Sequence, residues 1–244
     1  MSQEPQRISI IIPVYNEAEN IGLLLKSLTV VLDERDYQII VVDDNSPDGT
    51  HLIVQNTALG NRRIQGIQRP SKLGLASAVL EGFQASDGDI IVMMDADFSH
   101  RPKDLTYLVE EVSNADIVIG SRYIEGGSIT GWSPFRHLAS RTAIWLSRTL
   151  LGLTVKDTTS GFAIFKKEIL NPIAPEINPI GFKLLLEVLV RSPSALIKES
   201  PITFVNRKKG KSKFGVGETI AFLQLLMELR RHQKKRHSVN IIGN

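Results

Sequence analysis

The sequence predicts an α/β protein with a mostly parallel sheet and helices on both faces. Three observations carry that expectation. Short β-branched runs alternate with helix-patterned segments through the first half of the chain, which is what successive βαβ units look like in sequence. The chain has 244 residues and is 42% hydrophobic, enough for a sizeable core. The apolar run Ile90-Ile91-Val92-Met93-Met94 ends abruptly in Asp95-Ala96-Asp97, and in open α/β sheets ligands bind outside the carboxyl ends of the strands.

Taken in order, Ile8 to Ile12 reads as a strand and Ala18 to Leu32 as a helix. Gln38 to Val42 is a second strand. Ser46-Pro47 then reads as an N-cap with proline at the first helical position, opening a helix toward Leu59. Ile64 to Gln68 is a strand, Leu75 to Ala85 a helix, and Asp89 to Met94 the strand that ends in the aspartates. Pro102 opens a helix, and Ile117 to Ile119 is a strand. After Gly120 the pattern loosens. Glu125 to Pro134 reads as a Gly/Ser-rich loop, Phe135 to Leu151 and Phe182 to Arg191 as helices, and Leu196 to Val205 as containing a strand. Gly217 to Arg236 reads as a helix with an apolar stripe through Phe222, Leu223, Leu226 and Leu229. With no internal repeat and no disordered linker, one continuous domain is expected.

Composition narrows the chemistry. The absence of cysteine excludes disulfides and thiolate metal sites. Residues Met1 to Arg7 are polar and lead straight into a strand, so no signal peptide is expected. No apolar stretch approaches the roughly 18 residues of a membrane span; the longest, Ile220 to Leu229, is interrupted by Gln224 and Glu228. The net charge of +3 is unevenly spread: Glu228 to His237 holds five Arg/Lys and one Glu, a net of +4, leaving about −1 for the rest. Arg207 to Lys213 adds five Arg/Lys in seven residues. Positive charge late in the chain points to a phosphate-bearing partner or an anionic surface, or is simply a solvated tail.

Asp95 and Asp97 are the leading metal candidates. Mg²⁺ and Mn²⁺ prefer carboxylate oxygens, and Mg²⁺ commonly sits between one or two carboxylates and substrate phosphates. The alternative is that they merely open a loop or cap the next helix. The first strand ends Pro13-Val14-Tyr15-Asn16-Glu17, where an aromatic and a carboxylate can stack on and hydrogen-bond a nucleobase; Glu17 could equally serve the first turn of the helix. The second strand ends Val42-Asp43-Asp44-Asn45-Ser46, with acids for a base or ribose, or for capping. Neither a Gly-x-Gly-x-x-Gly nor a phosphate-loop motif occurs, which argues against a dinucleotide-binding dehydrogenase and a phosphate-loop ATPase. Trp132 reads as a sugar or lipid contact or as a packed loop aromatic, and His100 as a residue supporting the acidic motif rather than a catalytic base.

The set Ile-Pro-x-Tyr-Asn-Glu, Val-Asp-Asp-x-Ser-x-Asp and Asp-Ala-Asp resembles the family 2 inverting glycosyltransferases of the GT-A fold, with a Rossmann-like, mostly parallel sheet. Gly120-Ser121-Arg122-Tyr123, Gly126-Gly127, Trp132, Arg136, Thr159-Ser160-Gly161-Phe162, Gly181-Phe182-Lys183 and Gly210-Lys211-Ser212-Lys213 narrow the resemblance to the dolichyl (polyprenyl) phosphate mannosyltransferase branch over roughly residues 7 to 215. The resemblance implies a catalytic domain over 1–216 and a basic amphipathic helix and tail over 217–244. It implies that Pro13, Tyr15, Glu17, Val42 and Asp44 hold the donor nucleoside, and that Asp95, Ala96 and Asp97 meet the diphosphate. The metal, Mg²⁺ or Mn²⁺, falls to Asp95 and Asp97. Ser99 stands where some members place a further metal-side glutamine, so its part as a ligand is doubtful. Arg122 falls on sugar phosphates or acceptor, Arg136 and Ser140 on the acceptor phosphate, and Arg207 and Lys213 on a loop closing over the diphosphate. Asp97, Arg122 and Arg136 are the expected catalytic groups.

The implied reaction moves mannose from GDP-mannose to dolichyl or polyprenyl phosphate, with UDP-glucose as the alternative donor. The implied place is cytoplasmic, peripherally bound at the cytosolic face of a membrane. Many relatives continue into transmembrane helices, so this chain resembles compact members or those relying on a membrane-anchoring partner subunit. A Gln-x-x-Arg-Trp motif suited to polymer synthesis is absent. The helix over Gly217 to Arg236 either lies in the membrane interface or buries its stripe against the sheet, leaving its basic end outside; the second is the expectation. A non-catalytic nucleic-acid binder, or an idle subunit of a membrane complex, would leave Asp44, Asp95 and Asp97 unexplained, and no nucleic-acid partner is expected.

Overall fold

The computed structural model describes residues 6–179, 183–206 and 216–242. In it β1 (Ile8–Val14) leads into α1 (Ala18–Val31), β2 (Tyr37–Asp43) into α2 (Thr50–Gly60), β3 (Ile64–Gln68) into α3 (Leu75–Gln84), and β4 (Ile90–Met93) into α4 (Pro102–Glu110). Then follow β5 (Ile117–Ser121), β6 (Ser128–Thr130), α5 (Pro134–Leu151), β7 (Ala163–Lys166), α6 (Lys167–Leu170), α7 (Leu184–Arg191), β8 (Ile197–Pro201), β9 (Thr203–Val205) and α8 (Val216–Ile242). The main sheet has the order β3-β2-β1-β4-β7-β5-β8. Only β7 runs antiparallel to its neighbours; the other pairings are parallel. β6 and β9 form a small second sheet.

The central strands are apolar on both faces because both faces are covered. Successive side chains of a strand point to opposite sides. Ile10, Ile12 and Val92 accordingly join Leu24, Leu28 and Leu105 from α1 and α4 in one core. Ile11, Ile91 and Met93 join Val79, Leu185 and Val188 from α3 and α7 in another. This two-sided burial is why these strands read as continuous rather than alternating apolar runs.

Several local features depart from the sequence reading. Ser46 is no N-cap: its hydroxyl hydrogen-bonds Asp43 and accepts from the Asn16 amide. The helix starts at Thr50, whose amide donates to Asp48. The Gly/Ser-rich stretch contains β6, which pairs with β9. The four-residue β7 fills the sheet between β4 and β5. Helix α8 buries Phe222, Leu225, Leu226 and Leu229 against Leu151, Leu186 and Val190, on α5 and α7 rather than on the sheet. Leu223, expected in the buried stripe, is 44% exposed. The expected start of the preceding helix at Phe182 lies outside the described residues, and α7 begins at Leu184.

Candidate active site

Parallel pairing brings the carboxyl ends of β1, β2, β4 and β5 to one edge, and the antiparallel β7 brings its amino end there too. The strand ends are cross-tied: the Asp44 amide donates to the Val14 carbonyl at 3.0 Å and the Met94 amide to that of Ile11 at 3.3 Å. Among the described residues three non-glycine positions take positive φ, and each sits in one of these strand-end loops: Asn16 at 60°, Asn45 at 60° and Phe98 at 57°. Asparagine tolerates that region, whereas a bulky residue there is an outlier. Backbone of this kind gathers at binding sites, held by the surrounding structure.

The loop after β4 orients the two carboxylates. Asp97 Oδ1 accepts from the Ser99 amide at 3.0 Å. The Asp95 amide donates to His100 Nδ1 at 3.1 Å, and the His100 ring stacks on Phe162 with centroids 5.0 Å apart. Burial holds the imidazole's pKa below its ordinary value, against the pull of Asp95 and Asp97. His100 is therefore a neutral hydrogen-bond acceptor that fixes the Asp95 backbone. A Cβ on Gly161 would come 3.1 Å from Asp95 Oδ2, so this glycine, two residues before β7, makes room for the carboxylate. Ser99 is 2% exposed; its backbone braces the site, donating to Asp97 and accepting from Val205. Ala96 is buried between the two aspartates. Two carboxylates one residue apart fit a hard divalent cation that draws its other oxygens from phosphate and water. Among the described residues there is no cluster of three or more His, Cys, Asp or Glu that could form an all-protein cage.

Arg122, at the end of β5, is 8% exposed and gripped by Asp157, which is fully buried. Its Nε and Nη2 donate to the two carboxylate oxygens at 2.7 Å each, and its amide donates to Oδ2 at 3.0 Å. Nη2 also donates to Thr159. Burial acts against the guanidinium charge, but Asp157 outweighs it and the pKa is raised. Sequence reasoning assigned Asp157 no part, although it stands beside the noted Thr159-Ser160-Gly161-Phe162 run.

Pro13, Asp95, Asp97, Arg122, Arg136 and Ser140 line one cavity of about 730 Å³. Arg136 and Ser140 come from the first turns of α5, which Ser133 caps by accepting from the Arg136 amide. The Arg136 guanidinium lies 4.1 Å from the Trp132 ring centroid and donates to Asn206. Ser140 hydrogen-bonds the Tyr123 hydroxyl at 2.9 Å. Arg207 and Lys213 lie outside the described residues.

Lys183 also lines the cavity, a position without an assigned role at the sequence level. Burial, reinforced by Arg122, pushes its ammonium down to about 8, with Asp157 and Asp95 pulling the other way; the ordinary value is ~10.5. From about pH 8 to 10.5 the unfolded chain keeps this proton while the folded chain releases it. This group therefore lowers stability below pH 8 and adds to it as the pH rises through that window. Denaturant midpoints from pH 7 to 10 test this: Lys183→Met removes that part of the rise, and equal slopes in the two chains would refute the assignment.

The other expected donor residues stand at the neighbouring strand ends, off the cavity wall. Lys72 Nζ lies 3.7 Å from the Tyr15 ring centroid. Glu17 accepts from Asn20. Asp44 accepts from Arg69 at 2.6 Å and from the Gly74 amide at 2.9 Å. Val42 is fully buried with Ile40 and Ala78, so its side chain belongs to the core.

A model of the family described as glycosyl transferase family 2 matches residues 9–173. The dolichol-phosphate mannosyltransferase of Pyrococcus furiosus is 41% identical over 217 residues, 88% of this chain and 60% of that protein. The chain thus spans 60% of that relative's length. The polyprenol monophosphomannose synthase of Mycolicibacterium smegmatis is 37% identical over 216 residues, 85% of this chain and 81% of that one. The undecaprenyl-phosphate mannosyltransferase of Micrococcus luteus is 37% identical over 223 residues, 88% and 91% of the two chains. Among solved structures, the glucosyl-3-phosphoglycerate synthase of Mycobacterium tuberculosis, in complex with Mn²⁺, UDP-glucose and glycerol 3-phosphate, superimposes with a TM-score of 0.67. It is 19% identical over 93% of this chain and 80% of that one, a likeness of fold. The family match runs through the strands that carry Asp95, Asp97 and Arg122, and the chain belongs to glycosyl transferase family 2, with the GT-A fold.

Proposed function

We propose that this protein transfers mannose from GDP-mannose to a polyprenyl phosphate of the dolichyl type, inverting the anomeric carbon and releasing GDP. One observation carries the reading: the cavity joins the Asp95 and Asp97 pair, a third carboxylate on Glu218 and three cations to an apolar wall. Asp95, Asp97, Arg122, Arg136 and Lys183 stand in the same space as Leu138, Leu146, Phe222 and Leu223. Anion-handling groups beside an apolar gallery suit an acceptor with a phosphate head and a prenyl tail. The names of the relatives from P. furiosus, M. smegmatis and M. luteus support the same acceptor class.

In the proposed reaction an acceptor phosphate oxygen forms a bond to the anomeric carbon as the bond from that carbon to the GDP oxygen breaks. The electron pair leaves on the diphosphate. A phosphate monoester, with a second pKa near ~6, is largely dianionic at neutral pH. It needs no general base, and His100, neutral and committed to the Asp95 amide, supplies none. Asp95 and Asp97 would hold Mg²⁺ or Mn²⁺, which when bound neutralises charge on the leaving diphosphate. The chain's own task is to bring two anions together. Arg136 receives the acceptor phosphate, with Ser140 beside it, and Arg122, held rigid by Asp157, faces the charge that grows on the leaving group. Fixed cations of this kind are complementary to the transition state more than to the substrates.

Among the described residues no helix is long and apolar enough to cross a membrane. The proposed place of action is the surface of the membrane that carries the acceptor. The test incubates the protein with Mg²⁺ or Mn²⁺, a short polyprenyl phosphate, and labelled GDP-mannose or UDP-glucose in parallel. Label from GDP-mannose that extracts into organic solvent, dependent on metal, is the expected result. Transfer from UDP-glucose alone would overturn the donor, and transfer from neither, with folded protein and dispersed lipid, would overturn the reading.

A further inference from the structure

Helix α5 has a second face that the proposed transfer does not use. Arg141, Trp145 and Arg148 recur at i, i+4 and i+7, which is one stripe of a helix. With Tyr123, Leu153 and Lys156 they border a groove of about 560 Å³. The groove is separate from the active-site cavity, whose α5 wall is made by residues such as Arg136, Ser140, Ala143 and Leu146.

The groove is built of cations. Arg141, Arg148 and Lys156 line it, and among the described residues no carboxylate does. Among the described residues none of the three forms an ion pair. Glu199, close by, accepts from the Ser121 hydroxyl and from the amides of Lys156 and Asp157, so it is engaged with the backbone. Arg148 contributes one hydrogen bond to the Leu153 carbonyl through Nε, which leaves the outer nitrogens of its fork for a ligand. Trp145, on the groove wall, is 62% exposed, and Leu138, two turns earlier on α5, is 64% exposed. Tryptophan beside arginine, open to solvent, matches the composition of protein surfaces that sit at the headgroup level of a bilayer. Guanidinium forks in turn match phosphate oxygens.

We propose that this groove binds the phosphate of an anionic membrane lipid, with Trp145 set among the headgroups. Docked so, the outer face of α5 lies against the bilayer, and Leu138, which also lines the active-site cavity, stands at the passage between the two. The bound lipid is an anchor and is not consumed. The inference deepens the proposed function, which needs the protein at a membrane, but it concerns a different site with different residues.

The full chain is tested by sedimentation with vesicles of phosphatidylcholine alone or mixed with phosphatidylglycerol. Three forms are compared: the native chain, the variant R141Q/R148Q/K156Q, and a variant with the basic end of α8 neutralised at Arg230, Arg231, Lys234 and Lys235. The native chain is expected to bind the mixed vesicles. The groove variant is expected to bind them roughly 100-fold more weakly, because each Lys or Arg at an anionic surface contributes about a five-fold factor. It should transfer sugar to a water-soluble short-chain acceptor at the native rate. Brominated lipid is expected to quench tryptophan fluorescence in the native chain and not in Trp145→Phe.

Native-like vesicle binding by the groove variant, with detachment only of the α8 variant, would overturn the site. So would groove-dependent binding of inorganic phosphate without any preference for anionic vesicles. Vesicle binding that depends on the groove in a protein that transfers no mannose would sink the proposed reaction and leave this site standing. Transfer intact with no groove dependence of binding would do the reverse.

Discussion

Asp97→Asn is expected to lower sugar transfer by about 10²–10³-fold, the loss typical when one preorganised electrostatic group is removed from a charge-developing centre. The substitution isolates charge from structure. The oxygen of the introduced carboxamide can still accept from the Ser99 amide, the bond that Asp97 Oδ1 makes at 3.0 Å, so the loop after β4 keeps its course. What disappears is half of the negative charge offered to a divalent cation, and a donor nitrogen replaces an anionic oxygen. Initial rates across a range of Mg²⁺ and Mn²⁺ concentrations should show both a lower plateau and a higher half-saturating metal concentration. Denaturant unfolding should shift by no more than about 1 kcal/mol, because the bond from the Ser99 amide is kept. A native rate and native metal response in Asp97→Asn would remove the metal from the proposed mechanism.

The parts of this site that were legible in the sequence are those set by local order. The strand ending in Asp95 and Asp97 is readable because five apolar residues stop at two acids. The α/β alternation that places this strand in a parallel sheet is readable because each unit repeats the same change of period. What was not legible depends on residues far apart. β7 is four residues long and becomes a strand only because β4 and β5 offer it edges on both sides. Asp44 is legible as an acid after β2, but the Arg69 guanidinium and the Gly74 amide that hold its two oxygens come from 25 and 30 residues further along the chain. The arc of α8 that is buried was misjudged by one residue pair: Leu225 faces inward and Leu223 outward. The supports on α5 and α7 decide that phase, and the helix's own pattern does not. Asp157 is the largest omission, because nothing local marks it as the partner of an arginine 35 residues earlier.

That partnership makes the second large expected effect. Asp157→Ala should destabilise the fold by about 3–5 kcal/mol, the usual consequence of removing one member of a buried ion pair. Three donors of Arg122 lose their acceptor together, the amide, Nε and Nη2, and a guanidinium that is 8% exposed is left without its counter-charge. Transfer should fall as well, since the aim of Arg122 into the cavity rests on this two-pronged grip. Stability alone does not separate a structural arginine from a catalytic one, and a double substitution does. In Arg122→Met with Asp157→Leu no charge is left stranded, and apolar replacement of a buried pair is often neutral or stabilising. The double variant is therefore expected to regain most of the lost stability in urea unfolding while transfer stays about 10²-fold or more below native, because the cation that the proposed mechanism sets against the leaving diphosphate is gone. Recovery of both stability and transfer would mean that the pair serves the fold alone, and that the charge on the departing diphosphate is met by other groups.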